Sequence, residues 1–201
     1  MEFVLRNFSL PAYLRLPRPM NDQEFLRLCV INSELRIEQE ENGEILVMSP
    51  VGLRGGAVEQ AVGSQLSQWA NTNGRGMTFS PSTGFRLPNG LVKMADASWV
   101  SFERLNALTA EQREGIPTLC PEFVIEILSK TDSIAKLVAK MEMWIANGAQ
   151  LAWMIEPERP RITVFRRGED PEIHDAPTSV NGTGPVAGFV LKLDPSAMGQ
   201  F

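Results

Sequence analysis

Apolar residues recur along the chain with two periods, one near two and one near 3.6, and the switches between them mark out its elements. Residues 1–20 mix apolar positions with Arg6, Arg15, Arg18 and three prolines, and read as an extended arm with a strand at its start. Asn21 or Asp22 caps a short helix carrying Phe25, Leu26 and Leu28, because their side chains accept from free N–H groups of a first turn. Leu35-Arg36-Ile37-Glu38 and Ile45-Leu46-Val47-Met48 read as a hairpin about Asn42-Gly43. A glycine-containing loop over 49–56 leads into a helix over about 57–71, with Val58, Val62, Leu66 and Trp69 on one stripe, and Asn73-Gly74 ends it. A strand at 77–79, a hairpin of 85–87 and 92–100 about Asn89-Gly90, and a short helix capped by Thr109 follow.

The run Phe123-Val-Ile-Glu-Ile-Leu128 is continuously apolar apart from one residue, which suits a central strand covered on both faces. Beyond it the period turns helical over about 132–146, with Ile134, Leu137, Val138, Met141 and Ile145 on one stripe and Asn147-Gly148 as the stop. Strands at 151–155 and 161–165 flank the turn Pro157-Glu158-Arg159-Pro160, and the Gly- and Pro-rich tail carries one late strand at 188–191. The pattern is that of one domain over 21–201, of mixed α/β (α+β) class, preceded by the arm 1–20.

Two acids violate this pattern. Glu126 stands in the middle of the central strand, where an unpaired carboxylate costs on the order of several kcal/mol. Asp96 stands inside the strand-like Met94-Ala-Asp-Ala-Ser-Trp-Val100, although Asp is among the residues least suited to strands. Two carboxylates on neighbouring strands make a hard, oxygen-rich site that suits Mg²⁺ or Mn²⁺; a pair satisfied within the protein is the other reading. Lys140 falls beside the apolar stripe of its helix, next to Trp144, and either reaches inward past the helix edge or extends into solvent. Lys136 lies farther round. Glu59 is on the flank of the 57–71 helix, and Arg86 and Lys93 bracket a hairpin where they would meet phosphates or simply be solvated.

Composition narrows the chemistry. The 201 residues carry a net charge of −5, which argues against bulk electrostatic gripping of nucleic acid but leaves room for a local basic groove. The single histidine, His174, excludes a His-rich zinc site and a Ser-His-Asp triad. Cys29 and Cys120 are far apart and suit a reducing compartment. There is no phosphate-cradling glycine motif, no signal-like segment and no run of transmembrane length, so the expected location is cytoplasmic, away from any membrane.

The blocks Ile45-Leu-Val-Met-Ser-Pro50, Thr83-Gly-Phe-Arg-Leu-Pro-Asn-Gly90, Asp96-Ala-Ser-Trp-Val100, Phe123-Val-Ile-Glu-Ile-Leu-Ser129, Lys140-Met141, Asn147-Gly-Ala-Gln-Leu-Ala-Trp153 and Gly188-Phe-Val-Leu191 occur here in order. Over residues 21–193 this succession resembles the Uma-type restriction endonuclease family of the PD-(D/E)xK nuclease superfamily. The resemblance implies a restriction-endonuclease-like core: a central mixed β-sheet flanked by helices, with an added N-terminal hairpin and C-terminal strands. Asp96 matches the aspartate of the PD element and Glu126 the acid of the (D/E)xK element. Leu128 occupies the superfamily's lysine position, and Lys140 matches the lysine that the Uma-type pattern carries in the following helix. Glu59 is the candidate for a helix carboxylate, and Glu38 matches an acid of the first hairpin. The chain departs from the family at Ala95 for Pro, Trp144 for Tyr and Glu156 for Asp.

The implied activity is hydrolysis of DNA phosphodiester bonds by a metal-dependent endonuclease. Asp96, Glu126 and the backbone carbonyl of Ile127 would hold Mg²⁺ or Mn²⁺, and Lys140 would orient water or offset charge on the phosphate. Glu38, Arg86, Lys93, Ser129 and Lys136 are the candidates for phosphate contacts or for support behind the ligands. DNA is the expected partner, and a homodimer exchanging Phe3, Val4 and Leu5 between subunits the expected assembly. A different reading is a catalytically inactive nuclease-fold module that binds nucleic acid or protein. The loss of the family's proline at Ala95 and the net negative charge favour it.

Overall fold

The structure is a computed structural model that describes residues 10–129 and 132–193. Its elements begin with β1 (Ala12–Leu14), α1 (Asp22–Ile31), β2 (Arg36–Gln39), β3 (Ile45–Met48), α2 (Leu53–Asn73) and β4 (Gly76–Phe79). Next come β5 (Phe85–Arg86), β6 (Val92–Lys93), β7 (Ala97–Ser101), α3 (Phe102–Asn106), α4 (Ala110–Glu114) and β8 (Phe123–Ile127). The chain continues through α5 (Ile134–Ala146), β9 (Leu151–Glu156), β10 (Arg161–Arg166), β11 (Glu172–Asp175), β12 (Ser179–Asn181) and β13 (Val190–Lys192).

Contacts divide the chain into two compact units. The first takes described residues of 1–50, 84–94 and 108–119. Its sheet runs β1-β3-β2-β6-β5, with every pairing antiparallel. Helix α1 starts with a capping box: Glu24 N–H donates to Asn21 Oδ1 at 3.0 Å, and Asn21 N–H donates to Glu24 Oε2 at 3.1 Å. That start turns Phe25 and Leu28 inward onto Ile37, Ile45, Val47 and Val92. Within the stretch read as an arm, Ala12–Leu14 is tied to the sheet as β1, because Tyr13 and Leu14 pair with Leu46 and Ile45 of β3. The strand expected around Phe3, Val4 and Leu5 lies outside the described residues.

The second unit takes residues 51–83, 95–107 and the described residues from 120 onward. Its sheet runs β11-β10-β9-β8-β7-β4; β8 and β9 are parallel and the other pairings antiparallel. Helix α5 connects the parallel pair, as such a pair requires a long connection. Phe123, Ile125 and Ile127 of β8 face α2, where Val58, Val62, Leu66 and Ala70 complete a core with Trp99 and Trp153. Phe189 closes this core from the late segment, stacked on Trp153 at a centroid distance of 5.7 Å, while Phe123 meets Trp153 edge-on at 5.0 Å. Helix α5 lies on the opposite face and buries Leu137, Met141 and Trp144. The expected fold class is therefore present: a mixed sheet with helices on both faces.

Three local expectations differ. Helix α2 starts at Leu53, not 57, and takes in Gly55 and Gly56, which carry no side chain to mark a helical period. The single strand read over 92–100 is two, β6 in the first unit's sheet and β7 in the second's, with Met94–Asp96 between them. The tail carries β11 and β12 as well as β13, short strands whose mainly exposed side chains give little apolar alternation.

Two glycines test this packing in opposite directions. A Cβ at Gly63, in the middle of α2, meets open space, so Gly63→Ala is expected to stabilise the protein by about 0.5–1 kcal/mol in urea unfolding. A Cβ at Gly76 would overlap the Trp99 ring and the Val100 carbonyl, so Gly76→Ala should cost about 1–3 kcal/mol.

Candidate active site

Alternation along β8 sends Phe123, Ile125 and Ile127 to the α2 side, and so sends Glu126 to the α5 side, with only 3% of its surface exposed. Its partners come from one flank of α5. Lys140 and Trp144 are four residues apart, which aligns them one turn from each other. The Lys140 ammonium lies 3.0 Å from Glu126 Oε1 and 3.1 Å from Oε2. The Trp144 indole N–H donates to Oε1 at 2.8 Å. Of the two readings of Lys140, the inward one holds.

Asp96 immediately precedes β7, one step beyond the last cross-strand pair, Ala97↔Ile125, and so is drawn level with Glu126. It is at the start of the strand and not inside it. Its Oδ2 accepts the Ile127 N–H at 2.8 Å, where no β7 carbonyl remains to do so. An aspartate's readiness to bond backbone groups, which makes it a poor residue within strands, suits it to this end of the ladder.

Burial pushes the Glu126 carboxyl up to about 7. The Lys140 charge opposes that rise, the Asp96 charge adds to it, and hydrogen bonds from Trp144 and Lys140 oppose it further. Two carboxylates and one ammonium thus feel each other directly. Among the described residues, no three His, Cys, Asp or Glu side chains gather as a group able to hold one ion. Glu59 lies half-buried on α2, the helix on the side of the sheet that Phe123, Ile125 and Ile127 face.

The remaining candidates fall in two places. On the second unit, Ser129 is bound into the turn before α5, its hydroxyl donating to Asp132 Oδ2 at 2.6 Å, and Lys136 is exposed one turn before Lys140. On the first unit, Glu38 is buried; its Oε2 accepts from Lys93 at 3.1 Å and its Oε1 from the Met94 N–H at 3.0 Å. Lys93 is bonded to Glu40 as well. Arg86 donates to the Gly90 carbonyl at 3.0 Å and lies 2.6 Å from Asp22 Oδ1 at an angle that makes an ion pair and not a hydrogen bond. Arg86 and Lys93 thus already have anionic partners inside their own unit. Cys29 and Cys120 are free thiols that burial pushes up to about 11 and about 12, which removes them as nucleophiles near neutral pH.

Trp144 is the residue of this cluster whose part the sequence pattern missed. Trp144 shares the buried face of α5 with Leu137 and Met141, and a buried indole N–H usually finds an acceptor. That tendency is the available signal, and Glu126 and Asp96 are the two acids out of place to which it could be matched.

A family model described as "Uma2: Putative restriction endonuclease" matches residues 22–194. Among solved structures, the crystal structure of a putative nuclease belonging to DUF820 from Anabaena variabilis ATCC 29413 is similar with a TM-score of 0.71. Identity is 22%, and the match covers 90% of this chain and 97% of that one. The cryoEM structure of a DrdV–DNA complex matches 61% of this chain and 12% of that one at 12% identity, with a TM-score of 0.38. Comparison with curated proteins gave no match. No helix among the described residues is long and apolar enough to cross a membrane.

Two outcomes follow from the buried charges. Between the ordinary glutamate value near 4.5 and about 7, the folded protein holds a proton on Glu126 that the unfolded chain has released. That contribution to stability is complete below 4.5 and lost as pH rises through 7. In EDTA, urea unfolding should show stability falling over this window, and Glu126→Gln should remove that part of the slope; an unchanged slope refutes the assignment. Separately, Lys93→Met leaves the Glu38 carboxylate buried beside an apolar chain and should cost roughly 3 kcal/mol or more.

Proposed function

Because this chain belongs to the Uma2 family, we propose that it is a metal-dependent endonuclease that hydrolyses phosphodiester bonds of DNA. The observation that carries the reading is the convergence of one ammonium and two mutually coupled carboxylates at β7, β8 and α5. The donor set fits a hard divalent ion: Asp96, Glu126 and the backbone carbonyl of Ile127 offer oxygen only. When bound there, Mg²⁺ or Mn²⁺ would polarise the scissile phosphate and make a bound water more acidic.

The protein's own groups do the rest. The Lys140 charge opposes the rise that burial imposes on Glu126, and so increases the share of the acid that is ionised and free to act as a ligand near neutral pH. Its side chain is 22% exposed, and its stem is long enough for the ammonium to serve a phosphate oxygen while staying beside the acids. As a donor without a lone pair, it orients a water or offsets charge developing on phosphorus; it does not abstract a proton. Asp96 uses one oxygen to hold β8 at Ile127, which ties its position to that of Glu126. Lys136, exposed on the same flank of α5, meets a neighbouring phosphate of the strand being cut. Cutting both strands of a duplex calls for two such sites, which a homodimer supplies.

The test is divalent-dependent nicking of supercoiled plasmid and of a panel of linear DNAs by the purified protein. Cleavage should need Mg²⁺ or Mn²⁺, and Glu126→Ala or Lys140→Ala should lower its rate by about a hundredfold or more. No cleavage of any substrate with either metal, or equal cleavage by Glu126→Ala, overturns the proposal.

A further inference from the structure

Glu126 is held by two groups of different mechanical character. Lys140 supplies charge with little direction: its ammonium carries three equivalent donors on a flexible stem and bridges both carboxylate oxygens, at 3.0 and 3.1 Å. Trp144 supplies direction without charge. Its ring is fully buried, and its single N–H points at Oε1 from 2.8 Å. Burial of an indole does not by itself secure such a bond. Trp99 and Trp153 are buried nearly as completely, yet the indole nitrogen of each has no hydrogen-bond partner. The bond at Trp144 therefore reflects where Glu126 stands and not a general fate of buried tryptophan in this fold.

We propose that Trp144 is a positioning residue for the metal-binding acid: its N–H retains Oε1 as an internal acceptor and fixes the carboxylate plane, so that ligation of the divalent ion falls to Oε2. The inference rests on the metal-dependent reading above. The torsion that turns a glutamate carboxylate is broad and nearly two-fold, so packing of the stem alone leaves the two oxygens interchangeable. A rigid donor on one of them removes that freedom. Groups that orient a metal ligand from behind are commonly worth about 10–100-fold in metal affinity, and Trp144 falls in that class while touching neither substrate nor reacting atoms.

The test compares Trp144→Phe and Trp144→Tyr with the wild-type protein, by calorimetric titration of Mn²⁺ without DNA, after circular dichroism shows each variant folded. Both variants lose ring volume, but only Phe loses the donor, so packing and hydrogen bonding separate. The Mn²⁺ Kd should rise about tenfold or more in Trp144→Phe and stay within about threefold of wild type in Trp144→Tyr. An unchanged Kd in Trp144→Phe, or equal weakening in both variants, overturns the proposal and leaves the nuclease reading intact. Wild-type protein that binds no Mn²⁺ refutes the metal-dependent reading and this inference with it. Should Trp144→Phe not fold, the indole N–H resonance of Trp144 in the wild-type protein decides: it should move on saturation with diamagnetic Mg²⁺, and a resonance that stays in place refutes the inference.

Discussion

A carboxylate on a strand closed in from both faces is the constraint around which the second unit is arranged. Glu126 cannot be hydrated where it lies, so its charge must be met by groups that the fold carries to it. Both groups that meet it come from one helix, which places a double demand on α5. The helix must bury Leu137, Met141 and Trp144 against the sheet, and it must also set Lys140 and the indole N–H over a single acid. Its rotation about its own axis is fixed by the polar requirement as well as the apolar one. The uneven result along the apolar stripe fits this: Ile134, assigned to the stripe by its spacing, is 45% exposed, whereas Trp144 is wholly covered.

The second acid answers to a different physical need. Between β6 and β7 the chain changes sheets within the three residues Met94–Asp96. A change of sheet leaves backbone groups without ladder partners, and buried backbone groups must be paired. An acid does this work in each unit: Glu38 accepts the Met94 N–H in the first, and Asp96 accepts the Ile127 N–H in the second. Asp96 is thereby held by the sheet itself, level with Glu126. A chemically useful pair of carboxylates thus also performs a structural task, and substitution at Asp96 removes both at once.

Much of this was legible along the chain. The apolar run at 123–128, the hairpins about Asn42-Gly43 and Asn89-Gly90 and the helix before Asn147-Gly148 all correspond to elements, because short-range periodicity and turn chemistry act over a few residues. The same reasoning singled out Glu126 and Asp96 as residues out of place, and put Lys140 at a helix edge from which it could turn inward. Less was legible where a feature depends on what lies opposite. Arg86 and Lys93 were cationic and near a turn, but only the fold brings Asp22, Glu38 and Glu40 against them.

By itself, then, the sequence determined the order and kind of the main elements, the class of fold and the two acids that needed explaining. Tertiary structure alone decided the division of 92–100 between two sheets, the attachment of Ala12–Leu14 to β3, the late strands β11 and β12, and the bond from Trp144 to Glu126. The physical reason is the range of the forces involved. Helical or alternating burial is written in residues a few positions apart, whereas strand pairing and the satisfaction of a buried charge join groups from distant parts of the chain, and their partners exist only once the chain has folded.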